Sequence, residues 1–412
     1  MFTSTQTKKL ITLIILILQS GWTSPYDLPL SVEEQMAWYK PILETKKITK
    51  KANLKYQESK LIDIRGVGDF AWTAPAKPKN GKKIALNTDV ADSLKKIKYS
   101  KTLLKGDLSF INFEAVVGEY CDQIRPTVSW YFLSHPKTIS SLYNYGFNLF
   151  SLANNHSQDC QNGRSSIKES KPKHGPLMTL ESFENDKNSQ NIIYAGVGDE
   201  TEIQLNPFLV KEKFITIKGK EIKFAFASLG IFSWNIPNAA TVAKKSFKQD
   251  QDLMQVMFPS FDQSNAEIKI LSLHTQDKSG HNKAEDWAFL KLKAIAEYFI
   301  KNHGGNVVFG HGPHTFAGIK VLTNSRGQKS VIFSSLGNFI HQGLSMREDN
   351  YLGRVLLNPE TMDVEQIMAM PLINRKETVE FFNNSLKTKI NSNFKWQKVR
   401  NDYDLLIYGA SL

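Results

Sequence analysis

The sequence predicts an α/β fold of the layered α/β/α type, because apolar runs of strand length alternate with helical stretches from residue 61 onward. Runs that are apolar on both faces are typical of strands in a sheet that is covered on both sides. Strands that alternate with helices build such a layered sheet. The six apolar runs are LIDIRGVGD (61–69), DLSFINFEA (107–115), FNLFSLANNH (147–156), IKILSLHTQD (268–277), NVVFGHGPH (306–314) and VIFSSLGNF (331–339).

Two stretches between these runs have the apolar spacing of helices. PKTISSLYNYG (136–146) precedes the third run. AEDWAFLKLKAIAEYFIKNHG (284–304) has apolar residues three and four positions apart and ends at a Gly-Gly stop. In open sheets of this class, ligands bind beyond the carboxyl ends of the strands. We therefore expect a functional site where the six runs end.

Each of the six runs ends in polar side chains that can bind a metal or act in catalysis. A single histidine in such a place is more commonly a hydrogen-bonded core residue. The recurrence of polar groups that are costly to bury, always at the same topological position, favours one shared site. Carboxylates, amide oxygens and imidazoles together suit Mn²⁺, Fe or Zn²⁺. The candidates are Asp69, Glu114, Asn154, Asn155, His156, His274, Asp277, His311, His314 and Asn338.

The first 24 residues have the layout of a secretory signal peptide, with Lys8 and Lys9 before the apolar run LITLIILIL (10–18). An uncleaved N-terminal anchor is the alternative. In either case we expect the rest of the chain to be exported: periplasmic, extracellular, or membrane-anchored and facing outward. Behind this segment we expect a lysine-rich linker (25–60), one folded domain (61–355) and a C-terminal peripheral extension (356–412) with a helix in ETVEFFNNSLKTKINSNF.

The chain of 412 residues has a formal net charge of +12. Much of the excess lies in residues 44–60 and in five lysines, Lys95, Lys96, Lys98, Lys101 and Lys105. Outside the cytoplasm this balance favours contact with a polyanion, such as an anionic polymer, a teichoic or lipid phosphate, or a membrane surface. A solvated lysine-rich face is the alternative. No aromatic residues are interleaved with the basic ones, so we expect no nucleic acid partner.

Seven short motifs resemble those of the CapA family, the poly-γ-glutamate capsule synthesis proteins, over residues 61 to 340. They are GVGDF, INFEAVV, FSLANNHSQD, YAGVGD, SLHTQD, GHGPH and SSLGNF, and the Asn-Asn-His and Gly-His-x-Pro-His segments are the most specific. The domain of that family resembles the calcineurin-like metallophosphatases. The resemblance therefore implies a metallophosphatase-type α/β fold with one or two divalent ions, Mn, Fe or Zn.

The resemblance also implies a role for each motif residue. His156 and Asn154 would be catalytic, with His156 as general acid or transition-state stabiliser, and Asn112, Asp277 and Asn338 would support the ligands from behind. Since Asn112 precedes Glu114 by two on one strand, we expect it to orient that carboxylate. The implied ligands are Asp69, Glu114 in a bridging or supporting position, Asn155, His274, His311 and His314.

Three departures from the family pattern predict fewer strong ligands. HTQDK stands where the family has His-Trp-Gly-x-Glu, and GHGPH has Gly312 where the family has a second histidine. Asp69 is followed by Phe70 and Ala71, so the Asp-x-His of true phosphatases is absent. We expect one ion or weak binding rather than a tight two-metal centre, with Asp277 as a substitute carboxylate.

By resemblance, the chain is expected to act in synthesis, export or anchoring of an anionic capsule polymer, poly-γ-glutamate. Membrane-bound capsule synthase subunits are possible partners, and the basic loop KESKPKHG (168–175) would steer the polymer. One alternative is a secreted metal-dependent phosphoesterase, which would turn over a generic phosphodiester. The other is a non-catalytic polymer-binding accessory subunit of a membrane synthase, which would bind polymer without turnover.

The chain has two cysteines, Cys121 and Cys160, which rules out a disulfide-framework fold. An exported chain meets an oxidising environment, and each cysteine follows a strand end that we place at the same rim. We therefore predict that they are joined, with two free thiols as the alternative.

Overall fold

The computed structural model describes residues 60–72, 83–84, 90–98, 100–125, 131–166, 171–199, 210–232, 239–243, 258–275, 287–343, 350–375, 378–381, 397–400 and 406–411. They belong to one compact unit, Lys60–Leu412. The predicted signal segment and all but the last residue of the predicted linker lie outside the described residues, as does Asp277.

The strands are numbered in chain order. They are β1 (Ile62–Ala71), β2 (Lys83–Ile84), β3 (Leu108–Phe113), β4 (Val116–Val117), β5 (Tyr120–Ile124), β6 (Leu133–Ser134), β7 (Leu149–Ser151), β8 (Cys160–Arg164), β9 (Ile193–Ala195), β10 (Lys211–Ile217), β11 (Lys220–Phe232), β12 (Thr241–Ala243), β13 (Ile268–Thr275), β14 (Val307–His311), β15 (Ile319–Thr323), β16 (Lys329–Phe333), β17 (Asn338–His341), β18 (Asn350–Leu357), β19 (Val364–Asn374), β20 (Val379–Phe381), β21 (Gln397–Arg400) and β22 (Leu406–Ser411). The helices are α1 (Ala91–Lys96), α2 (Ser100–Leu104), α3 (Lys137–Asn144), α4 (Gly175–Glu184), α5 (Pro259–Gln263) and α6 (Trp287–His303), with a 3₁₀ turn at Ser189–Asn191.

The first sheet has the strand order β21-β22-β19-β18-β1-β3-β7-β9, with β17 beside β1 and β20 beside β19. β1, β3, β7, β9 and β17 run parallel to one another. β1 pairs with antiparallel β18 as far as Gly66 and with parallel β17 from Asp69. Asp69 therefore lies where β1 exchanges one neighbouring strand for another.

The second sheet has the order β10-β11-β13-β14-β16-β15, with β12 beside β11. Its inner strands are parallel, and the edge strands β10 and β15 are antiparallel to their neighbours. Two smaller sheets, β2-β5-β8 and β4-β6, complete the pairing that is described.

Apolar side chains of the two large sheets pack against each other. Phe110 of β3 stacks on Phe309 of β14 with ring centroids 4.4 Å apart, and both belong to one buried cluster that contains residues of both sheets. Helices α1 to α4 contribute to a second cluster with the outer face of the first sheet. Helix α6 contributes to a third cluster with the second sheet. The predicted layered α/β class is confirmed, with two sheets rather than one between the helices.

The second to fifth predicted runs each contain one parallel strand, and the polar residues lie at the end of that strand or just after it. The first run differs because β1 continues past Asp69 to Ala71. The sixth run, VIFSSLGNF, also differs. The sixth run is divided between β16 of the second sheet and β17 of the first. Among the described residues, no helix has the length and apolar character needed to cross a bilayer.

The C-terminal residues correct the predicted domain boundary. Residue 355 falls inside β18, and β19, β20, β21 and β22 all pair within the first sheet. Residues 379–381 of the predicted peripheral helix form a strand. The peripheral extension was predicted because β18 to β22 contribute no residue to the polar clusters on which the other strands were recognised.

Candidate metal centre

Parallel strands from both large sheets end at one place and carry most of the predicted site residues. Asp69 lies on β1 of the first sheet, whereas His274 and His311 lie on β13 and β14 of the second. The strand register pairs His274 with His311 and pairs Asp69 with Asn112 of β3. Side chains at paired positions leave a sheet on the same face, so each pairing presents two polar groups side by side.

Asp69, His274 and His311 form what we call the first ligand group. All three are fully buried, and one ligand atom of each lies within 4.8 Å of the others. The two histidine Nδ1 atoms are 2.7 Å apart. Asp69 Oδ1 lies 3.8 Å from Nδ1 of His274 and 3.6 Å from Nδ1 of His311. Two imidazole nitrogens at that separation share either a proton or a cation.

The opposite nitrogens of both rings are held by neighbouring side chains. Ser272 Oγ lies 2.5 Å from His311 Nε2, and Asn155 Oδ1 lies 2.6 Å from His274 Nε2. Hydrogen bonds of this kind fix the ring orientation and the nitrogen that faces a metal. Asn155, a predicted ligand, therefore contacts Nε2 of His274, the ring nitrogen opposite the Nδ1 that lies near Asp69 and His311.

Two amide groups hold the carboxylate of Asp69. Asn112 Nδ2 donates to Oδ1 at 2.7 Å, and the Gly312 N–H donates to Oδ2 at 3.0 Å. Asn112 therefore orients Asp69, and not Glu114 as predicted, because the β1–β3 register sets those two side by side. Gly312 has a φ of +103°, and a Cβ there would lie 1.7 Å from the carbonyl oxygen of Thr275. This position supplies a backbone donor where the family pattern has an imidazole.

Glu114, His314 and His341 form the second ligand group. Glu114 Oε2 lies 3.3 Å from His341 Nε2 and 3.9 Å from His314 Nδ1. Asp69 Oδ2 lies 3.0 Å from His314 Nδ1, and Glu114 Oε1 lies 3.6 Å from His274 Nε2. Each carboxylate thus reaches into the other group, which suits the bridging position that the sequence predicts for Glu114.

Asn338 supports His314, in the kind of role that the sequence predicts for it. His314 has a φ of 57°, a left-handed conformation that costs a non-glycine residue about 1–3 kcal/mol. Asn338 Oδ1 lies 2.9 Å from His314 Nδ1, and Asn338 Nδ2 donates to the His314 carbonyl oxygen at 3.1 Å. These two contacts from the side-chain amide of Asn338 therefore offset the cost of the left-handed backbone conformation of His314.

The first ligand group is largely deprotonated near neutral pH. Burial lowers the pKa of His311 to about 4, and burial with the neighbouring His311 lowers the pKa of His274 well below its usual value. Burial alone would raise the pKa of Asp69, but the hydrogen bond and charge of His314 outweigh it and hold that pKa below its usual range. An ionised carboxylate and two neutral imidazoles are the forms that bind metal.

Two of the three residues of the second ligand group, Glu114 and His314, instead retain their protons. Burial and the nearby charge of Asp69 raise the pKa of Glu114 to about 8. Burial acts to lower the pKa of His314, but the carboxylates of Glu114 and Asp69 raise it to about 9. Burial and the charge of His314 lower the pKa of His341 well below its usual value.

The donor set fits a divalent cation. Both carboxylate oxygens of Glu114 and both ring nitrogens of His341 are buried and have no hydrogen-bond partner among the described residues. Ionising a buried carboxyl group that has no hydrogen-bond partner is costly, which the raised pKa of Glu114 reflects, and a bound cation removes that cost. Carboxylates with imidazoles suit Mn²⁺, Fe or Zn²⁺. Each group offers three ligand residues to an ion, whereas the departures from the family pattern predict one ion or weak binding.

His156 lies beside the two groups, and its side chain is 12% exposed. Its Nδ1 lies 2.6 Å from Asp159 Oδ2, and its ring centroid is 4.3 Å from that of Phe132. Burial acts to lower the pKa of His156, but the carboxylate of Asp159 outweighs it and raises that pKa. A histidine that holds its proton suits the predicted role of general acid.

Asn154, predicted to be catalytic, is a turn residue instead. It is fully buried. Its Nδ2 donates to the Phe113 carbonyl oxygen at 2.8 Å, and its Oδ1 accepts the His156 N–H at 3.1 Å. Asparagine favours such local bonds to the backbone. Asn154 therefore shapes the turn that presents His156 and has no free atom for a substrate.

Two residues of the site were missed from the sequence. His341 follows Asn338 by three in β17, and the strand run was ended at Phe339, two residues short of it. Asp159 follows His156 by three, a spacing that lets a turn bring the two side chains together. The local signals were present, but neither residue falls directly on a predicted strand end.

The two cysteines are joined in a disulfide, Cys121–Cys160. It links β5 to β8, which also pair by backbone hydrogen bonds. Cys160 directly follows Asp159, so the bridge lies next to the residue that contacts His156.

Comparison with solved structures gives distant likenesses. A hypothetical protein from Thermus thermophilus is 9% identical with a TM-score of 0.35, and the match covers 78% of this chain and 98% of that one. A Staphylococcus aureus protein assigned as a 5'-nucleotidase, in complex with α-ketoglutarate, is 12% identical with a TM-score of 0.35, covering 76% and 55%. GAP50, the anchor in the inner membrane complex of Plasmodium, is 12% identical with a TM-score of 0.29, covering 80% and 91%. At these scores none of the three bears on function.

Comparison at the level of families is more specific. No curated protein matches the chain. The model of the family described as bacterial capsule synthesis protein PGA_cap matches residues 64–343, about two thirds of the 412-residue chain. The matched region runs from β1 to the residues just after β17 and so contains both ligand groups. The chain belongs to the family of bacterial capsule synthesis proteins.

Proposed function

We propose that this chain is a metal-dependent enzyme in the synthesis, export or anchoring of an anionic capsule polymer, with poly-γ-glutamate as the polymer. Membership of the capsule synthesis family supports the biological role. Glu114 supports the metal dependence, because its fully buried carboxylate has no hydrogen-bond partner among the described residues. The proximity of His341 and His314 to that carboxylate makes a cation the partner that fits.

The ligand residues and His156 would have separate roles in the reaction. A bound divalent ion would polarise the scissile group and lower the pKa of a coordinated water. The first group would hold an ion through Asp69, His274 and His311. His156 would protonate the leaving group with Nε2, because its Nδ1 is engaged by Asp159.

Substrate would approach along the exposed side of this arrangement. Asp69, Glu114, His274 and His311 are fully buried, whereas the side chain of His314 is 17% exposed. An anionic group of the polymer would therefore approach from the side of His314, toward the ions that the two groups would hold.

The lysines and the exported location remain part of the proposal. Lys95, Lys96, Lys98, Lys101 and Lys105 are exposed on or beside α1 and α2. Lys171, in the predicted basic loop, is exposed, whereas residues 167–170 lie outside the described part of the chain. We propose that these lysines bind the polymer outside the cytoplasm, where membrane-bound synthase subunits would be partners.

The test is metal analysis of the purified full chain, followed by assays with and without Mn²⁺ on poly-γ-glutamate and on bis(p-nitrophenyl) phosphate. Metal in the protein and Mn²⁺-dependent change of the polyglutamate are expected. Turnover of the phosphodiester alone would identify a phosphoesterase. Salt-sensitive binding of polyglutamate without any turnover would identify an accessory subunit, since contacts to a polyanion release counterions. Absence of metal would overturn the proposed chemistry.

A further inference from the structure

We propose that Asn374 is a positioning residue of the second ligand group, because it holds the backbone bulge that turns His341 toward Glu114. The inference rests on the proposed function, since it takes that group as a cation site. It gives a part in the site to β19, a strand that lies beyond the residues 64–343 matched by the family model.

The backbone of β17 contains one extra residue relative to β1. Asp69 is paired with Asn338. The next pair is Ala71 with His341, so two steps along β1 match three steps along β17. Ile340, inside this bulge, has a φ of 49°, a left-handed conformation that is unfavourable for a β-branched residue. Contacts around β17 must therefore maintain the bulge against its local cost.

The bulge places two side chains of β17 on one face. Asn338 and His341 are three positions apart, and residues at that spacing point to opposite faces of a regular strand. Here both reach His314, with Asn338 Oδ1 2.9 Å from its Nδ1 and the His341 ring 5.2 Å from its ring, centroid to centroid. His341 Nε2 also lies 3.3 Å from Glu114 Oε2. Without the extra residue, His341 would point away from the site.

The side-chain amide of Asn374 contacts this bulge through both of its polar atoms. Its Oδ1 accepts the His341 N–H at 3.0 Å, and its Nδ2 donates to the His341 carbonyl oxygen at 3.0 Å. Asn374 is the last residue of β19 and is fully buried. Asn350, the first residue of β18, is also fully buried and accepts the Asn338 N–H at 2.6 Å. Two C-terminal strands thus hold the backbone of β17 on both sides of the bulge.

The main chain fixes the direction of the His341 ring. A metal-binding histidine almost always has its second ring nitrogen held by a neighbouring group, as His311 and His274 of the first group do. Neither ring nitrogen of His341 has a hydrogen-bond partner among the described residues. Its ring packs edge-on against Phe132, with centroids 5.1 Å apart. The backbone contacts of Asn374 therefore do for His341 what side-chain contacts do for the first group.

The test is calorimetric titration of the metal-free full chain with Mn²⁺, in the wild type and in two variants of Asn374. Asn374→Ala should weaken binding at the second group by about 10–100-fold, the range typical of losing a contact that orients a ligand, and should leave the first group unchanged. Asn374→Asp keeps the size of the side chain and an acceptor for the His341 N–H, so it should retain more of the affinity. His341→Ala identifies the binding step that belongs to the second group.

The chain supplies a matched control for a general loss of stability. Asn324, between β15 and β16, is a buried asparagine that also bonds to the backbone. Its Nδ2 donates to the Gly305 carbonyl oxygen at 3.1 Å, and its Oδ1 accepts the Arg326 N–H at 2.9 Å. Asn324→Ala should lower the melting temperature but leave both binding steps unchanged. If Asn374→Ala does not fold, Asn374→Asp carries the same comparison, with a smaller weakening expected.

A second measurement needs no metal. In the metal-free chain with isotope-labelled histidine, the NMR signals of the His341 ring, assigned by their loss in His341→Gln, should shift in Asn374→Ala and stay in place in Asn324→Ala. Unchanged ring signals in Asn374→Ala would overturn the inference, as would an unchanged second step or equal weakening of both steps. A wild type that binds no Mn²⁺ would refute the proposed function, and the ring signals would still decide the role of Asn374.

Discussion

The two ligand groups are built from the same kinds of side chain but prepared differently for a cation. The first group lies on β1, β13 and β14, its ring nitrogens are held by Ser272 and Asn155, and burial keeps its imidazoles neutral. The second group lies on a strand end and in turns, and the pKa values of Glu114 and His314 are raised. Regular strands therefore present a site that is ready for metal, whereas the turns present one that must first lose protons.

The largest expected effect comes from removing one imidazole of each group together. His311→Ala/His314→Ala should lose all bound metal, because each group keeps only two of its three ligand residues. The fold should survive, since neither change removes a large apolar side chain. Metal content by mass spectrometry and circular dichroism of the same samples check both statements. The control is His303→Ala, which lies at the end of α6 and is paired with Asp262 rather than with the site.

Single variants separate the two groups. His311→Ala should remove the ion of the first group, and His341→Ala the ion of the second, so each should retain about half of the wild-type metal if both groups are filled. Full metal content in His311→Ala/His314→Ala would refute the site. Equal loss of all metal in both single variants would instead show that the two groups bind as one unit.

The sequence predicted the first ligand group better than the second for a physical reason. Asp69, His274 and His311 occur near or at the ends of apolar strand runs, and parallel strands necessarily bring such ends together. The run of residues 331–339 gives no sign that it divides between two strands, of which β16 stays in the second sheet and β17 joins the first. His341 therefore became a ligand candidate only when the three-dimensional pairing placed it next to Glu114.

Local hydrogen bonding limited the rest of the prediction. Asn154 and Asn155 are adjacent residues of the same type, but the side chain of Asn154 forms hydrogen bonds with the backbone, whereas that of Asn155 contacts His274. Asn112 was assigned to Glu114 from its position on the same strand, but cross-strand pairing gives it to Asp69. Which partner an amide chooses depends on contacts between distant segments, and a single sequence does not contain them.

The next expected effect is a difference in pH dependence between the two groups. A metal must displace the protons that the raised pKa values of Glu114, about 8, and His314, about 9, retain at neutral pH. Affinity at the second group should therefore rise with pH up to about those values, by as much as about tenfold per pH unit for each proton released.

The first group should show little change over the same range, because the pKa of His311 is about 4. Calorimetric titrations of the metal-free protein with Mn²⁺, in buffers of different ionisation enthalpy, would count the protons released as each group binds its ion. His341→Ala should leave the pH-insensitive step and remove the other. Identical proton release in both steps would contradict the proposed difference between the groups.

The smallest expected effect tests whether the hydroxyl behind His311 contributes to the readiness of the first group. Ser272 Oγ contacts His311 Nε2 at 2.5 Å, whereas Ser151 Oγ is 3.5 Å away. Ser272→Ala would leave that nitrogen with one distant partner, and loss of such outer contacts typically weakens metal binding by about 10–100-fold.

Ser228→Ala is the matched control, because Ser228 is a buried serine that bonds to Ser151. Competition with a chromophoric chelator for Mn²⁺ measures the affinity of each variant. A weakened first step in Ser272→Ala, with an unchanged second step and a normal Ser228→Ala, is the expected result. Equal affinities in the wild type and Ser272→Ala would mean that the strands alone hold His311 in place.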